Sequence, residues 1–161
     1  MTTPAPEVLL TMPARPEGVG VVRQALAGMA DALDFDPTVL ADMKMAVTEA
    51  CTNVVVHAYD EDAGMLEVEM LADENGLTIV VRDHGAGIQP KPARTEPPAL
   101  GLGLPLIAAL SDAFELRGTA GRGTEVRMSF TYVRDVDPAD ANPVPGQVGD
   151  DGRWEPGEPP A

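Results

Sequence analysis

Residues 45–59 read MAVTEACTNVVVHAY and are the most informative stretch of this chain for its fold. The apolar residues here and just before recur at helical spacing, which predicts an amphipathic helix. Glu49 and Asn53 are four residues apart, so their side chains project from the same face of this helix. His57 extends that face by another turn.

These polar residues suit a metal-dependent reaction on a phosphate. The amide oxygen of Asn53 is a hard ligand of the kind that Mg²⁺ prefers, alongside water and phosphate oxygens. A carboxylate one helical turn away, on Glu49, can orient or deprotonate an attacking hydroxyl. The same residues also fit an ordinary solvated helix face, so the stretch by itself leaves both interpretations open.

A second motif, residues 83–87, reads DHGAG and follows an apolar run that predicts a buried strand. A carboxylate at the end of a strand, here Asp83, can accept a hydrogen bond from an exocyclic amine such as that of adenine. Gly85 and Gly87 let the backbone turn sharply and approach a flat ring closely. An ordinary turn rich in Asp and Gly is the alternative interpretation.

A third motif, residues Gly101, Leu102, Gly103 and Leu104, opens another apolar stretch and predicts a third helix. Glycines at a helix start leave backbone N–H groups open to a phosphate, and the helix dipole favours its charge. A glycine-rich helix start without a ligand is the alternative. Further on, Thr124 follows a Gly-Arg-Gly turn, which is either a plain hairpin or a place where its hydroxyl contacts the purine.

The remaining pattern predicts an α+β fold. Helices are expected at 17–33, from Asp36-Pro37 onwards and at 101–111, and strands at 8–10, 65–71, 77–82, 113–117 and 124–133. The Asn75-Gly76 pair suits a tight hairpin between the second and third strands. We therefore expect a two-layer sandwich in which helices cover one face of a mostly antiparallel, mixed sheet.

Composition indicates the domain organisation and argues against some classes of partner. The net charge of −15 argues against nucleic acid or an anionic membrane surface as a partner. No run approaches the ~20 apolar residues of a membrane span, so a cytoplasmic location is expected. Cys51 is the one cysteine of the sequence, which excludes an intramolecular disulfide. Residues 134–161 are mostly Asp, Glu, Pro and Gly, so we expect one domain over residues 1–133 followed by an acidic, disordered tail.

In their order and spacing, these motifs resemble those of the GHKL (Bergerat-fold) ATPases, and among them the anti-sigma-factor serine/threonine kinases. The resemblance covers roughly residues 12–133. Glu49 and Asn53 match the N-box of the family, residues 83–87 its G1 box and residues 101–104 its G2 box. Gly123-Thr124 matches its last motif, and the His-Ala-Tyr run after the N-box points to the anti-sigma branch rather than to sensor histidine kinases.

The resemblance implies a site for ATP and Mg²⁺. Glu49 would be the general base, Asn53 the Mg²⁺ ligand, and Asp83 the acceptor for the adenine amine. Other motif residues would complete the nucleotide site: His57, Gly85, Gly87, Gly101, Leu102, Gly103, Leu104 and Thr124.

The resemblance also implies a function. The chain would bind and sequester a sigma factor, phosphorylate a Ser or Thr of an anti-sigma-factor antagonist, and form a homodimer through its first strand and helix. Arg23 lies off the apolar stripe of that helix and is either a partner contact or a solvated charge.

The predicted lid over the nucleotide, residues 88–100, departs from the family pattern and motivates an alternative. It is rich in proline and holds Leu100 where a basic residue often precedes the G2 glycines, although Lys91 and Arg94 lie earlier in it. A nucleotide-gated module that binds partners with little or no catalysis is therefore the second hypothesis. The ATPase half of a sensor histidine kinase fits less well, because no helix pair with a phosphoacceptor His precedes the domain.

Overall fold

The computed structural model of the chain describes residues 7–59, 64–85, 103–119, 121–132, 147–148 and 154–155. Its helices are α1 (Pro16–Ala32), α2 (Pro37–Asn53) and α3 (Gly103–Leu110), and a turn of π-helix, Val54–Ala58, continues α2. Its strands are β1 (Glu7–Pro13), β2 (Met65–Ala72), β3 (Gly76–Asp83), β4 (Ala113–Thr119), β5 (Gly123–Thr131), β6 (Gln147–Val148) and β7 (Trp154–Glu155). Within these residues, no helix is both long enough and apolar enough to cross a membrane.

Strands β1 to β5 form one sheet in the order β1-β2-β3-β5-β4, in which neighbours pair antiparallel throughout. The predicted α+β class is confirmed, whereas the expectation of a mixed sheet is wrong for the described strands. The path from β3 through α3 makes β4 run parallel to β3, but the β4–β5 hairpin inserts β5 between them. Parallel neighbours are therefore absent from the described part of the sheet.

The helices pack on the face of the sheet that carries alternate apolar residues. On β2, Leu66, Val68 and Met70 are buried, while Glu67 and Glu69 between them are half-buried on the opposite face. The helix residues buried in the same core are Val22, Leu26 and Met29 of α1 and Met43, Ala46, Val47 and Ala50 of α2. The core is thus formed by the apolar residues that the sequence pattern predicts to be buried, on β2 by alternation and on α1 and α2 by helical spacing.

Helix α2 begins where the Asp36-Pro37 pair predicts. The Asp36 carboxylate accepts a hydrogen bond of 2.8 Å from the backbone N–H of Thr38, which satisfies a donor that the helix itself leaves open. The Thr38 hydroxyl and this N–H together lower the pKa of Asp36. Just before it, Asp34 adopts a left-handed conformation (φ 57°), so the chain reverses sharply between α1 and α2.

The β2–β3 hairpin differs in detail from its prediction. Gly76 already belongs to β3 and pairs with Asp73, so Glu74 and Asn75 occupy the centre of the turn in place of Asn75-Gly76. The Asp73 carboxylate accepts hydrogen bonds from the N–H groups of Asn75 (2.7 Å) and Gly76 (3.0 Å). These bonds stabilise a turn without positive φ, which Glu and Asn adopt without strain.

The open face of the sheet carries a charged cluster centred on Arg82. Its guanidinium contacts Glu125 of β5 at 2.8 Å and Glu67 and Glu69 of β2 at 3.0 Å each. The hydrogen bond to Arg82 lowers the pKa of the Glu125 carboxyl, and Glu125 in turn raises the pKa of Arg82. This cluster ties the end of β3 to both of its neighbours.

Replacing Glu125 with Gln is expected to lower the free energy of unfolding by about 1 kcal/mol at pH 7, since the ion pair is partly exposed. Because the folded-state pKa of Glu125 lies below its unfolded value of 4.5, its contribution is present above that value and is lost as the pH falls through the folded-state pKa. The free energy of unfolding, measured with urea, should differ less between variant and wild type near pH 3 than at pH 7. The more exposed pair Glu115–Arg117 provides the control Glu115→Gln, with a smaller effect. A difference that does not change with pH would contradict this account.

Two parts of the chain predicted from the sequence lie mostly outside the described residues. The proposed lid, residues 88–100, is one of them. In the proposed tail, residues 134–161, the structure describes β6 and β7, which pair antiparallel through Val148 and Trp154. The division into a domain and a disordered tail therefore stays a prediction.

Candidate functional site

A pocket of about 180 Å³ lies between the C-terminal end of α2 and the sheet. Apolar side chains form most of its wall: Ala50, Val54, Ala58, Val81, Leu104, Leu116 and Val126. Four polar residues complete it: Asn53, His57, Asp83 and Thr124. An apolar cleft with few polar groups is typical of a site for a flat, largely apolar ligand with one polar edge.

Asp83 is the buried polar residue of this pocket. It is the last residue of β3, points to the helix-covered face, and is only 7% exposed, the one buried charged residue among those that the structure describes. One carboxylate oxygen accepts a hydrogen bond of 2.9 Å from the N–H of Gly85. A carboxylate has about four acceptor positions, so capacity remains for a donor in the pocket.

The backbone around Asp83 is packed too closely for side chains. A Cβ added at Gly85 would lie 1.9 Å from the carbonyl oxygen of Ala58, and one at Gly123 would lie 2.0 Å from that of Asp83. Gly123 also has φ +89°, which L side chains rarely adopt. The sheet register places Thr124 directly opposite Asp83, so the two polar side chains share the pocket.

The other end of the site is formed by α2 and the start of α3. A Cβ added at Gly103 would lie 3.4 Å from a carboxylate oxygen of Glu49 and 3.4 Å from the amide nitrogen of Asn53. The first turn of α3 thus lies close to both N-box side chains, which are half-buried. A carboxylate, an amide and the positive end of a helix dipole meet here.

His57 occupies the pocket by a different backbone path from the predicted one. The α-helix ends at Asn53, and His57 lies on the π-helical turn that follows. A π-turn is wider than an α-turn and commonly occurs at functional sites. The expectation that the α-helical face continues to His57 is therefore wrong, although the structure still brings its side chain to the pocket that Asn53 lines.

The structure assembles most of the residues singled out in the sequence. The pocket is lined by Asn53, His57, Asp83, Leu104 and Thr124, and its margins include Glu49, Gly85 and Gly103. Gly87, Gly101 and Leu102 lie outside the described residues.

Other residues of the site were missed by the sequence interpretation. Val81, Leu116 and Val126 supply much of the apolar wall. Val81 could have been found, because it lies two residues before Asp83 on the same face of β3. Leu116 and Val126 are neighbours of this wall only through the strand register, which pairs Val81 with Val126 and Val126 with Leu116.

Cys51 lies between the two N-box residues but takes no part in the site. It is buried in the core, and burial raises the pKa of its thiol to about 12. The thiol is therefore protonated at neutral pH and is not a nucleophile.

Comparison with known families identifies the fold around this site. The family model of the histidine kinase-like ATPase domain matches residues 12–130. The chain belongs to the histidine kinase-like ATPase family. The matched residues include α1 to β4 and all of β5 except Thr131, and therefore all the residues of the pocket.

Curated relatives refine the placement within this family. Serine-protein kinase RsbW of Bacillus cereus (strain AH820) is 33% identical over 150 residues, which cover 86% of this chain and 92% of the relative. Serine-protein kinase RsbW of Bacillus thuringiensis (strain Al Hakam) is 33% identical over 151 residues, with the same coverage. The resemblance to the anti-sigma-factor serine/threonine kinases is thereby confirmed.

Solved structures show the same fold. The structure of the RsbU and RsbW domains of a Mycobacterium tuberculosis protein has a TM-score of 0.62 and 24% identity, covering 78% of this chain and 32% of that one. The blue-light activated histidine kinase of Erythrobacter litoralis EL346 has a TM-score of 0.51 and 18% identity, covering 75% of this chain and 62% of that one. The chain thus spans about a third of the mycobacterial chain, and these two likenesses concern the fold alone.

Proposed function

We propose that the chain is an anti-sigma factor and an ATP-dependent protein serine/threonine kinase. It binds ATP with Mg²⁺, phosphorylates a Ser or Thr of an anti-sigma-factor antagonist, and sequesters a sigma factor when that antagonist does not compete. The observation that carries the proposal is the meeting of Asp83, Thr124 and Asn53 in one apolar pocket, with Glu49 one helical turn before Asn53.

Adenine recognition would rest on Asp83. Its carboxylate accepts a hydrogen bond from the exocyclic amine, while Val81 and Val126, paired side by side on the sheet, supply apolar contact to the ring. Thr124 lies opposite Asp83 and supplies a hydroxyl to the same edge of the base. The closeness of Gly85 and Gly123 to their neighbours holds the rim of this pocket in place.

The phosphate end would rest on Asn53 and on the start of α3. The Asn53 amide oxygen would hold Mg²⁺, which takes oxygen ligands and would supply positive charge that offsets the charge of the phosphates. The start of α3, at Gly103, lies beside Asn53, and the N–H groups at a helix start favour negative charge. Gly101, Leu102 and Gly87 would add to this cradle by the family pattern.

Glu49 would act on the acceptor hydroxyl. Its carboxylate takes the proton as the seryl or threonyl oxygen attacks the γ-phosphorus, and the bond from that phosphorus to the bridging oxygen of ADP breaks. Glu49 lies one helical turn from Asn53, so the base and the metal ligand are held by the same rigid element.

The partner surfaces would be on the first two elements of the fold. Strand β1 is at the edge of the sheet, and Leu9 on it and Val21 on α1 are large apolar residues that are 62% and 52% exposed. These residues are suited to a homodimer contact, and the exposed Arg23 of α1 to a contact with the sigma factor. We place this activity in the cytoplasm, where sigma factors act.

The proposal is tested by incubating the protein with Mg²⁺ and γ-labelled ATP in the presence of an antagonist protein from the same genome. Label on a Ser or Thr of the antagonist, and loss of sigma-factor binding when unphosphorylated antagonist is added, are the expected results. A protein that binds ATP but transfers no label, at any antagonist concentration, would support the nucleotide-gated switch and reject the kinase.

Replacing Asp83 with Asn is expected to weaken ATP binding by about 30- to 100-fold, as expected for loss of a buried hydrogen bond to a charged group. If the Asn oxygen keeps the Gly85 N–H, its NH₂ group then faces the amine of adenine, and two donors oppose each other. Calorimetric titration with ATP measures the change. Asp73→Asn is the matched control, because Asp73 makes similar turn hydrogen bonds at the opposite end of β3. Equal affinities for the Asp83 variant and the wild type would exclude Asp83 from base recognition.

A further inference from the structure

The hydroxyl of Tyr59 joins three segments of the chain around the pocket. It accepts a hydrogen bond of 2.9 Å from the backbone N–H of His84 and donates one of 2.6 Å to the carbonyl oxygen of Met65. Tyr59 directly follows the π-helical turn, His84 directly follows Asp83, and Met65 begins β2. One atom thus connects the segment after the N-box to the residue after Asp83.

The ring of Tyr59 is fixed as firmly as its hydroxyl. A Cβ added at Gly64 would lie 2.1 to 2.2 Å from carbons of this ring, so the ring packs directly on the backbone of Gly64. The ring is half-buried and packs against the core. It does not line the pocket, and therefore any effect on a bound base must pass through the backbone that it holds.

The backbone that Tyr59 holds has little rigidity of its own. Residues 83–85 end a strand and include Gly85, which has the widest conformational freedom of any residue. The Asp83 carboxylate takes its orientation from the Gly85 N–H. The tertiary restraints on this turn include the hydrogen bond from His84 to Tyr59, the contact between Gly85 and Ala58, and the close approach of Gly123 to the backbone of Asp83 and His84.

We propose that Tyr59 is a positioning residue for base recognition: its hydroxyl holds the 83–85 turn so that the Asp83 carboxylate faces the exocyclic amine of the purine. The inference rests on the proposed binding of an adenine nucleotide. It assigns to Tyr59 the selectivity for a 6-amino purine over a 6-oxo purine, because a carboxylate repels a carbonyl oxygen in the position where it attracts an amine.

The test compares Tyr59→Phe with Tyr132→Phe. The first variant removes the hydroxyl and keeps the ring over Gly64. The second removes the hydroxyl of the other tyrosine, which donates to the carbonyl oxygen of Asp73 at 3.2 Å, at the far end of β3. Dissociation constants for ATP and for ITP, which carries a carbonyl in place of the amine, are measured for both variants and the wild type.

Tyr59→Phe is expected to lower the preference for ATP over ITP by about fivefold, the value of one ordinary hydrogen bond, while ITP affinity changes less than about twofold. Tyr132→Phe should leave the preference unchanged. An equal loss of affinity for both nucleotides would show a merely structural role and overturn the proposal, as would an unchanged preference. A wild-type protein that binds neither nucleotide, or binds both equally, would instead reject the proposed adenine site itself.

A measurement on the wild-type protein covers the case in which Tyr59→Phe does not fold. The amide hydrogen of His84 is expected to exchange with solvent at least about tenfold more slowly than an unprotected amide, because it is hydrogen-bonded to the Tyr59 hydroxyl oxygen. Exchange at the unprotected rate would overturn the proposal.

Discussion

Replacing Glu49 with Gln is expected to lower the rate of phosphoryl transfer by about 10²- to 10⁴-fold, the usual contribution of a positioned general base. Gln keeps the shape of the side chain and its place beside Gly103, but cannot take the proton of the acceptor hydroxyl. Glu49 is not among the residues that line the base pocket, so ATP affinity should change by less than about threefold. Single-turnover transfer from labelled ATP to the antagonist gives the rate, and calorimetric titration gives the affinity.

Glu74→Gln is the matched control for this change. Glu74 is exposed in the β2–β3 turn, away from the pocket, and its replacement should leave both the rate and the affinity at wild-type values. If Glu49→Gln retains the wild-type rate, Glu49 is not the base. If it loses the rate but still releases the sigma factor in response to the antagonist, binding alone performs the regulation, as the nucleotide-gated alternative requires.

The second large effect is expected for Gly123→Ala, which should reduce the free energy of unfolding by roughly 3–5 kcal/mol. The new Cβ would lie 2.0 Å from the carbonyl oxygen of Asp83, and the backbone would have to keep φ at +89°. Since domains are stable by only about 5–15 kcal/mol, the variant should be close to unfolding at 37 °C. Urea unfolding followed by circular dichroism measures the loss.

Gly121→Ala separates the two causes of this loss. Gly121 also has a positive φ, +76°, but a Cβ there meets nothing within 4 Å. Its replacement should therefore cost only the backbone term, about 1–2 kcal/mol. If both variants lose the same stability, the close approach of Gly123 to β3 contributes nothing, and the account of the pocket rim is wrong.

Local patterns in the sequence were sufficient for the elements and for several site residues. The spacing of Val22, Leu26 and Met29 follows helix periodicity, and the alternation along β2 follows strand periodicity; both depend only on neighbours in the chain. Asp36-Pro37 marks the start of α2 for the same reason. The predicted turn between β2 and β3 was misplaced by one residue. The hydrogen bonds that the Asp73 carboxylate accepts outweighed the preference of the Asn-Gly pair for the centre of the turn.

The geometry of the pocket could not be predicted from local sequence patterns. Nothing in the residues around Thr124 indicates that it lies opposite Asp83, since that depends on β5 entering the sheet between β3 and β4. The π-helical turn that carries His57 and ends at Ala58, just before Tyr59, is likewise not indicated by any local pattern. It is held by contacts with residues more than twenty positions away, at His84 and Gly85.

The amino-acid sequence specifies which chemical groups the site can contain: a carboxylate and an amide one helical turn apart on α2, a second carboxylate at a strand end, and glycines just after that second carboxylate. These follow from residue identity and short-range periodicity, which the chain carries in any conformation. The folded arrangement, in contrast, places Asn53, Asp83 and Thr124 in one apolar pocket and joins the segments of Tyr59 and His84 through the Tyr59 hydroxyl. Those relations depend on strand order, register and packing, which arise when distant segments bury their apolar faces against each other.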